Sequence, residues 1–184
     1  MTRSAPIEPP ATPLTDGTVA LRPRRESDVE SIAAASHDPE IRRWLDDEPM
    51  DAQARRDCVA RGEDMWRSGK AAPLVIADAS TDEPVGSINL QFRSDTVATV
   101  AYGVFPQRRG QGVAPRAVRL LARWALTDLG LARLILEADE ANLASIRVAE
   151  KAGFHRTGTR TEPAGDGDRR TIVVFALGKS GATG

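Results

Sequence analysis

A short glycine-containing loop near the middle of the chain limits the folds that this sequence can adopt. It runs from Gln107 to Ala114 with the sequence QRRGQGVA, after an extended apolar segment and before a helical apolar pattern. Pro115 stands in the first helical turn, where the absence of its backbone N–H is tolerated. A strand, a glycine loop and an amphipathic helix in this order indicate a sheet with a helix packed against it.

The loop has the composition of an anion-binding site. Gly110 and Gly112 let the backbone approach a ligand closely, and the first N–H groups of the following helix point out of its N-terminus along the helix dipole. Arg108, Arg109 and Arg116 add positive charge. These features favour a pyrophosphate site, and the alternative is an ordinary turn between a strand and a helix.

Periodic apolar patterns predict a mixed sheet with helices. Strands are expected at residues 18–22, 73–77, 85–92, 96–105, 134–138, 154–160 and 171–177, and helices at 27–36, 38–45, 51–67, 113–129 and 145–151. Ser27 and Glu30 have the spacing of a capping box at the start of the first helix. The three strands before the loop follow one another through short polar turns, which predicts an antiparallel meander.

The length of 184 residues fits one domain. We expect that domain to span residues 16–177. Residues 1–15 are rich in proline and poor in apolar side chains, and they are interpreted as a flexible leader. Residues 178–184 are interpreted as a flexible tail.

The composition argues against several classes of function. A net charge of -1 and an aromatic content of 4% disfavour nucleic-acid binding, and the sequence lacks the apolar run of about 18 residues that a membrane span needs. Cys58 is the only cysteine, so no internal disulfide forms, which suits a reducing cytoplasm. His37, His155 and Cys58 lack the spacing of metal ligands. We therefore expect a cytoplasmic protein without a metal.

A second motif lies downstream of the loop. Asn142 and Ser145 are followed by the segment EKAGF at residues 150–154. Together with the Q-x-x-G-x-G pattern of the loop, this block resembles the GNAT superfamily of acyl-CoA-dependent N-acyltransferases, in its RimJ/RimL-like branch of ribosomal-protein N-terminal acetyltransferases. The resemblance covers residues 19–177. Further segments similar to this branch are Leu21-Arg22-Pro23 with Asp28, Asp38-Pro39-Glu40, Val85-Gly86-Ser87-Ile88 and Tyr102-Gly103-Val104.

The resemblance implies an α/β (α+β) fold, with a mixed, largely antiparallel seven-stranded sheet and helices on both faces. The two central parallel strands, here the strand ending at Phe105 and the strand at residues 134–138, would splay apart and hold the co-substrate acetyl-CoA between them. Backbone N–H groups near Val104 would polarise the thioester. The residues implied to bind the coenzyme are Val104, Arg109, Gly110, Gln111, Gly112, Val113, Ala114, Asn142 and Ser145. The resemblance implies no metal.

Glu137 is the candidate general base. It is the only charged residue in the strand at residues 134–138 and stands five positions before Asn142, where related N-terminal acetyltransferases carry a glutamate base. A carboxylate there would take a proton from an incoming ammonium. The alternatives are a carboxylate on the solvent side of a strand, or one that is paired with an arginine.

Ser145 is the candidate partner of the leaving thiolate. Many family members place a tyrosine seven residues after the motif asparagine, but this chain has Ala149 there. The resemblance implies that Ser145 lies beside the sulfur instead, where it orients and hydrogen-bonds the thiolate. The alternative is an ordinary polar residue in the first turn of a helix, for which Asn142 is the candidate N-cap.

The resemblance implies an N-acetyltransferase that transfers an acetyl group from acetyl-CoA directly to a primary amine, such as a protein N-terminus. Two alternatives stay open: a non-catalytic CoA-binding or regulatory module, which the missing tyrosine permits, and acetyl or succinyl transfer to a small amine such as an aminoglycoside.

The acidic cluster Asp46-Asp47-Glu48 with Asp51 either receives a cationic acceptor or forms a solvated face. Tyr102, the only tyrosine, is expected to pack in the core. A monomer or homodimer without nucleic-acid or membrane partners fits these readings.

Overall fold

Five α-helices and eight strands make up the described part of the chain. The structure, a computed structural model, describes residues 5–45, 48–164 and 167–178. The helices are α1 (Val29–Ser36), α2 (Pro39–Leu45), α3 (Ala52–Ser68), α4 (Val113–Thr127) and α5 (Leu143–Lys151). The strands are β1 (Leu14–Thr15), β2 (Val19–Arg22), β3 (Ala71–Asp78), β4 (Pro84–Phe92), β5 (Val97–Val104), β6 (Arg133–Asp139), β7 (His155–Pro163) and β8 (Arg169–Gly178). The predicted helices and strands are all present, with ends that differ by a few residues.

The strands form one open sheet in the order β1-β2-β3-β4-β5-β6-β8-β7. Neighbouring strands are antiparallel except for the parallel pair of β5 and β6, which confirms the mixed sheet and the meander. The expected number of seven strands is wrong, because β1 pairs Leu14 with Leu21 and adds an eighth strand at the edge. Two residues among prolines are too few to produce an alternating apolar pattern, so this strand leaves no recognisable signal in the sequence.

The two parallel strands part halfway along their length, as expected. β5 and β6 pair from Val97 with Arg133 to Val100 with Leu136. Beyond this point β5 continues to pair with β4 and β6 with β8, so a gap opens between the ends of β5 and β6. Backbone groups that point into the gap no longer face a strand partner, and buried groups of this kind require another partner such as a ligand or water.

Helices α2 and α5 lie on opposite faces of the sheet, which confirms that both faces carry helices. Gly103 of β5 faces α2, since a Cβ there would lie 3.3 Å from Leu45 Cδ1. The preceding residue, Tyr102, forms a hydrogen bond with Ser145 of α5. Because successive strand residues point to opposite faces, the gap has a helix on each side.

A buried ion pair fixes β2 to the turn before α1. Nη1 and Nη2 of Arg22 lie 2.7 and 3.0 Å from the carboxylate oxygens of Asp28, and the two side chains are 3% and 1% exposed. Asp28 Oδ2 also accepts a hydrogen bond from the backbone N–H of Arg25 at 2.8 Å. The expected capping box of Ser27 and Glu30 is therefore wrong, because Asp28, turned inward by Arg22, supplies the capping carboxylate.

The segment before β1 is docked on the domain. The side chain of Ile7 is 4% exposed and belongs to the main apolar cluster, and its backbone N–H donates to the carbonyl of Trp66 at 3.0 Å. The expectation of a leader without apolar anchors is therefore wrong at Ile7. A single apolar residue among prolines has no periodicity, so the sequence pattern hides this anchor. The domain limits at residues 16 and 177 stay predictions.

Candidate active site

The gap between β5 and β6 opens into a cavity of about 580 Å³. This volume is that of a small-molecule site. The site residues expected from the sequence that line it are Val104, Arg109, Gly110, Gly112, Val113, Ala114, Glu137, Asn142 and Ser145. Gln111 is the exception, because its side chain is exposed and its Nε2 donates to the carbonyl of Gln107 at 3.1 Å. The fold thus brings the glycine loop, β6 and α5 together around one cavity.

The glycine loop enters α4 through two left-handed residues. Gly110 and Gly112 have φ of 71° and 73°, which L side chains rarely adopt. A Cβ at either position meets no atom within 4 Å, so the backbone conformation, and not lack of space, calls for glycine. Gly112 is the N-cap of α4, and the first N–H groups of a helix have no intrahelical acceptor. Val113 and Ala114 line the cavity, so these donors lie at its end, an arrangement that suits an anion.

The arginines of the loop are engaged by carboxylates. Nη2 of Arg109 lies 2.5 Å from Asp38 Oδ1, and its Nη1 lies 2.8 Å from Glu40 Oε2. Arg108 Nη2 lies 2.5 Å from Asp78 Oδ2. The hydrogen bond from Arg109 holds the pKa of Asp38 below its ordinary value. Much of the expected positive charge is therefore compensated, and an anion in the cavity would depend more on the backbone N–H groups.

The backbone N–H of Val104 points into the gap. The next residue, Phe105, donates its N–H to the carbonyl of Val85 in β4 at 2.8 Å. Successive N–H groups along a strand point to opposite edges, so that of Val104 points away from β4 and toward β6. A donor at this place, beside the cavity that Val104 lines, is available for a hydrogen bond to an oxygen atom in the cavity.

Asn142 and Ser145 are placed by the start of α5. Asn142 Oδ1 accepts the backbone N–H of Ser145 at 3.1 Å, which confirms the N-cap. Ser145 Oγ accepts a hydrogen bond from Tyr102 Oη at 3.1 Å. Tyr102 packs against the core as expected, but it also lines the cavity, and burial raises its pKa to about 12. The sequence analysis did not predict that Tyr102 lines the cavity and contacts Ser145. The available signal was a single tyrosine on the strand just before the loop.

Glu137 is paired with an arginine. Arg160 of β7 places Nη2 3.0 Å from Glu137 Oε2 and also contacts Glu162. The two carboxylates, Glu137 first, raise the pKa of Arg160 above its ordinary value. Glu137 nevertheless lines the cavity, so the ion pair and a role in the site are compatible.

Glu137 and Ser145 lie on opposite faces of the sheet. Val100 and Leu136 are partners in the parallel pair, so their side chains point to the same face. Tyr102 follows Val100 by two residues and shares that face with its partner Ser145. Glu137 follows Leu136 directly and points to the other face, that of α2.

The described members of the acidic cluster lie away from the cavity. Asp46 and Asp47 fall outside the described residues. Glu48 and Asp51 are exposed and do not line the cavity. Asp51 instead caps α3 by accepting the backbone N–H of Ala54 at 2.7 Å. The two described members therefore form a solvated face.

Within residues 5–45, 48–164 and 167–178, no group of three or more His, Cys, Asp or Glu side chains is arranged to hold a metal ion. In the same part of the chain, no helix combines the length and the apolar character that crossing a bilayer requires. Ala149, at the position of the family tyrosine, is fully buried in α5.

Known proteins are similar to this chain in sequence and in fold. A family model described as an acetyltransferase (GNAT) domain matches residues 18–155. The probable N-acetyltransferase YjcK of Bacillus subtilis (strain 168) is 37% identical over 86 residues, which are 45% of this chain and 48% of that protein. The chain thus spans about half the length of the curated relatives that it matches.

Solved structures show the same fold. The acetyltransferase from Salmonella typhimurium that modifies the N-terminal serine of the 50S ribosomal subunit protein L7/L12 has a TM-score of 0.77 at 19% identity, over 91% of this chain and 98% of that one. Spermidine N-acetyltransferase from Vibrio cholerae, solved with CoA and spermine, has a TM-score of 0.76 at 16% identity, over 88% and 96% of the two chains. Since the family model matches most of the sequence, the chain belongs to the GNAT acetyltransferase family.

Proposed function

We propose that this chain catalyses the direct transfer of an acetyl group from acetyl-CoA to a primary amine. The observation that carries the proposal is the gap between β5 and β6, which has an anion-binding loop at one end and polar side chains on both faces. Membership of the GNAT family supports acetyl-CoA as the donor, and a relative with the same fold was solved with CoA.

The donor would lie along the gap. The N–H groups at the start of α4, after Gly112, would bind the pyrophosphate. The amide groups of the pantetheine arm would pair with the edge of β5 that is open beyond Val100, with Asn142 beside them. The thioester oxygen would accept the N–H of Val104, which stabilises the negative charge that develops on it in the transition state.

The transfer makes one bond and breaks one. The amine nitrogen attacks the thioester carbon from the α2 face, the C–N bond forms, and the electron pair of the breaking C–S bond goes to sulfur. Glu137 takes the first proton, which the ammonium loses before it attacks, and the second proton, lost from nitrogen as the amide forms, passes through solvent to the departing thiolate. Its contact with Arg160 loosens at this moment, because a protonated carboxyl attracts the guanidinium less. Ser145 donates a hydrogen bond to the sulfur from the α5 face.

A protein N-terminus is the acceptor that the cavity favours. Ile41, Trp44 and Leu45 of α2 line the acceptor side, and this apolar wall suits the first side chains of a peptide better than a polyamine of high charge. A relative of the same fold modifies an N-terminal serine. A small amine is the second candidate, because another relative is a spermidine N-acetyltransferase.

Transfer assays with several amines test the proposal. Purified protein and acetyl-CoA are incubated with peptides that have free N-termini, with the same peptides blocked at the N-terminus, and with spermidine and an aminoglycoside. Released thiol and acetylated product are measured by colorimetry and mass spectrometry. Transfer to free but not to blocked peptides is the expected result. Transfer to the small amines alone would show that the acceptor is a small amine and not a protein N-terminus. Calorimetric binding of acetyl-CoA without transfer to any amine would instead favour a non-catalytic CoA-binding module.

A further inference from the structure

The hydroxyl groups of Tyr102 and Ser145 meet beside the gap, one from β5 and the other from α5. Their oxygens are 3.1 Å apart, and both residues line the cavity. The tyrosine ring packs against the main apolar cluster, so its hydroxyl has little freedom to move. Tyr102 is also the only tyrosine of the chain, so any role of a phenol here belongs to this residue.

The phenol is the donor in this contact. A phenol is a stronger acid than an aliphatic alcohol, and a serine oxygen has two lone pairs that accept hydrogen bonds. Ser145 therefore keeps its own hydrogen, which has to point away from the oxygen of Tyr102. The serine backbone is fixed as well, since its N–H is held by Asn142 Oδ1 at 3.1 Å. The serine oxygen is thus held in place, and its hydrogen is directed away from Tyr102.

We infer that Tyr102 is a positioning residue, which holds the Ser145 hydroxyl so that its hydrogen points at the sulfur of acetyl-CoA. This inference rests on the proposed function. As the C–S bond breaks, the electron pair stays on sulfur, and the thiolate accepts a hydrogen bond from Ser145 until it takes up the second proton of the amine, the first having gone to Glu137. Tyr102 keeps its own proton, because burial raises its pKa to about 12, well above that of an ordinary thiol.

A double-mutant cycle tests the inference. Tyr102→Phe removes one hydroxyl and keeps the ring in the core, so we expect kcat to fall about fivefold to tenfold, the loss of one orienting hydrogen bond. The KM for the amine and the melting temperature should hardly change. Ser145→Ala should lower kcat at least as much. In the Ser145→Ala background, Tyr102→Phe should have no further effect, because Tyr102 acts through Ser145.

Two further measurements separate this role from packing. Ser68→Ala, at an exposed serine of α3, is the matched control and should keep the wild-type kcat. Because the chain has one tyrosine, protein labelled with ¹³C at tyrosine Cζ gives one resonance, whose shift should change in Ser145→Ala. An unchanged shift, or losses in kcat that add in the double variant, would overturn the inference and leave the proposed function standing. A wild-type protein that acetylates no amine would overturn both.

Discussion

Arg109 of the glycine loop reaches Asp38, the residue before α2, with 2.5 Å between Nη2 and Oδ1. The same carboxylate accepts the backbone N–H of Ile41 in the first turn of α2 at 3.0 Å. One aspartate therefore caps α2 and also holds the glycine loop, and both elements line the cavity.

Asp38→Asn should lower the stability of the protein at neutral pH, and acid should remove this difference. The pKa of Asp38 is held below its ordinary value of 3.8, chiefly by the hydrogen bond from Arg109, so the unfolded chain takes up the proton before the folded protein does. The stabilisation is then fully present above 3.8 and is lost as the pH falls through the lower folded-state pKa. We expect Asp38→Asn to lower the free energy of unfolding at pH 7 by roughly 0.5–1 kcal/mol, since the pair of Asp38 and Arg109 is partly exposed.

Urea denaturation of wild type and Asp38→Asn from neutral to acid pH measures this difference. Glu63→Gln, at an exposed glutamate of α3, serves as the control and should leave the stability near that of wild type at each pH. A difference for Asp38→Asn that grows on acidification would contradict the role assigned to this ion pair.

Two substitutions of Gly112 separate backbone strain from charge at the glycine loop. Gly112→Ala places an L residue at φ of 73°, which destabilises the fold by about 1–2 kcal/mol. Gly112→Glu adds a negative charge beside the proposed pyrophosphate site and should weaken acetyl-CoA binding about tenfold more than Gly112→Ala, or about 1.4 kcal/mol. Calorimetric titration of both variants makes the comparison, and equal affinities would place the phosphates elsewhere.

Glu137→Gln should lower turnover about 10²-fold at neutral pH, because the amide keeps the shape of the side chain but accepts no proton. Acetyl-CoA affinity should hardly change, and the rate should recover as the pH rises and free amine forms in solution. Glu162→Gln is the matched control, since Glu162 shares Arg160 with Glu137 but does not line the cavity. A pH–rate profile of both variants tests whether Glu137 is the general base. Wild-type turnover of Glu137→Gln below pH 7 would show that it is not.

Asp28→Ala should destabilise the fold by about 3–5 kcal/mol, because it leaves the buried guanidinium of Arg22 without its main partner. Asp57→Ala breaks a half-exposed pair with Arg61 on α3 and should cost at most about 1 kcal/mol. Chemical denaturation of the two variants compares them. Equal losses in the free energy of unfolding would show that the buried pair of Arg22 and Asp28 stabilises the fold no more than the half-exposed pair does.

The sequence alone predicted those parts of the site that lie within one continuous segment of the chain. Gly110, Gly112 and Pro115 located the loop and the start of α4, and Asn142 located the start of α5. Helix caps and left-handed turns depend on residues a few positions apart, so these predictions needed no knowledge of the neighbouring strands.

Contacts between distant segments did not follow from the sequence. The meeting of Tyr102 with Ser145 and the pairing of Glu137 with Arg160 depend on the register of the strands and on which face each side chain occupies. A shift of one residue in β5 would turn Tyr102 away from α5. The family resemblance indicated Ser145 and Glu137, but only the folded sheet reveals the side chains that contact them.

The parting of β5 and β6 makes the cavity a passage through the sheet, lined by residues of α2 on one face and of α5 on the other. In the proposed transfer, the donor and the acceptor would therefore occupy the protein together without passing one another, and no acyl group would have to rest on a side chain between two half-reactions. Initial rates measured against both substrates should accordingly give intersecting double-reciprocal lines, as a ternary complex requires, and not the parallel lines of a ping-pong enzyme.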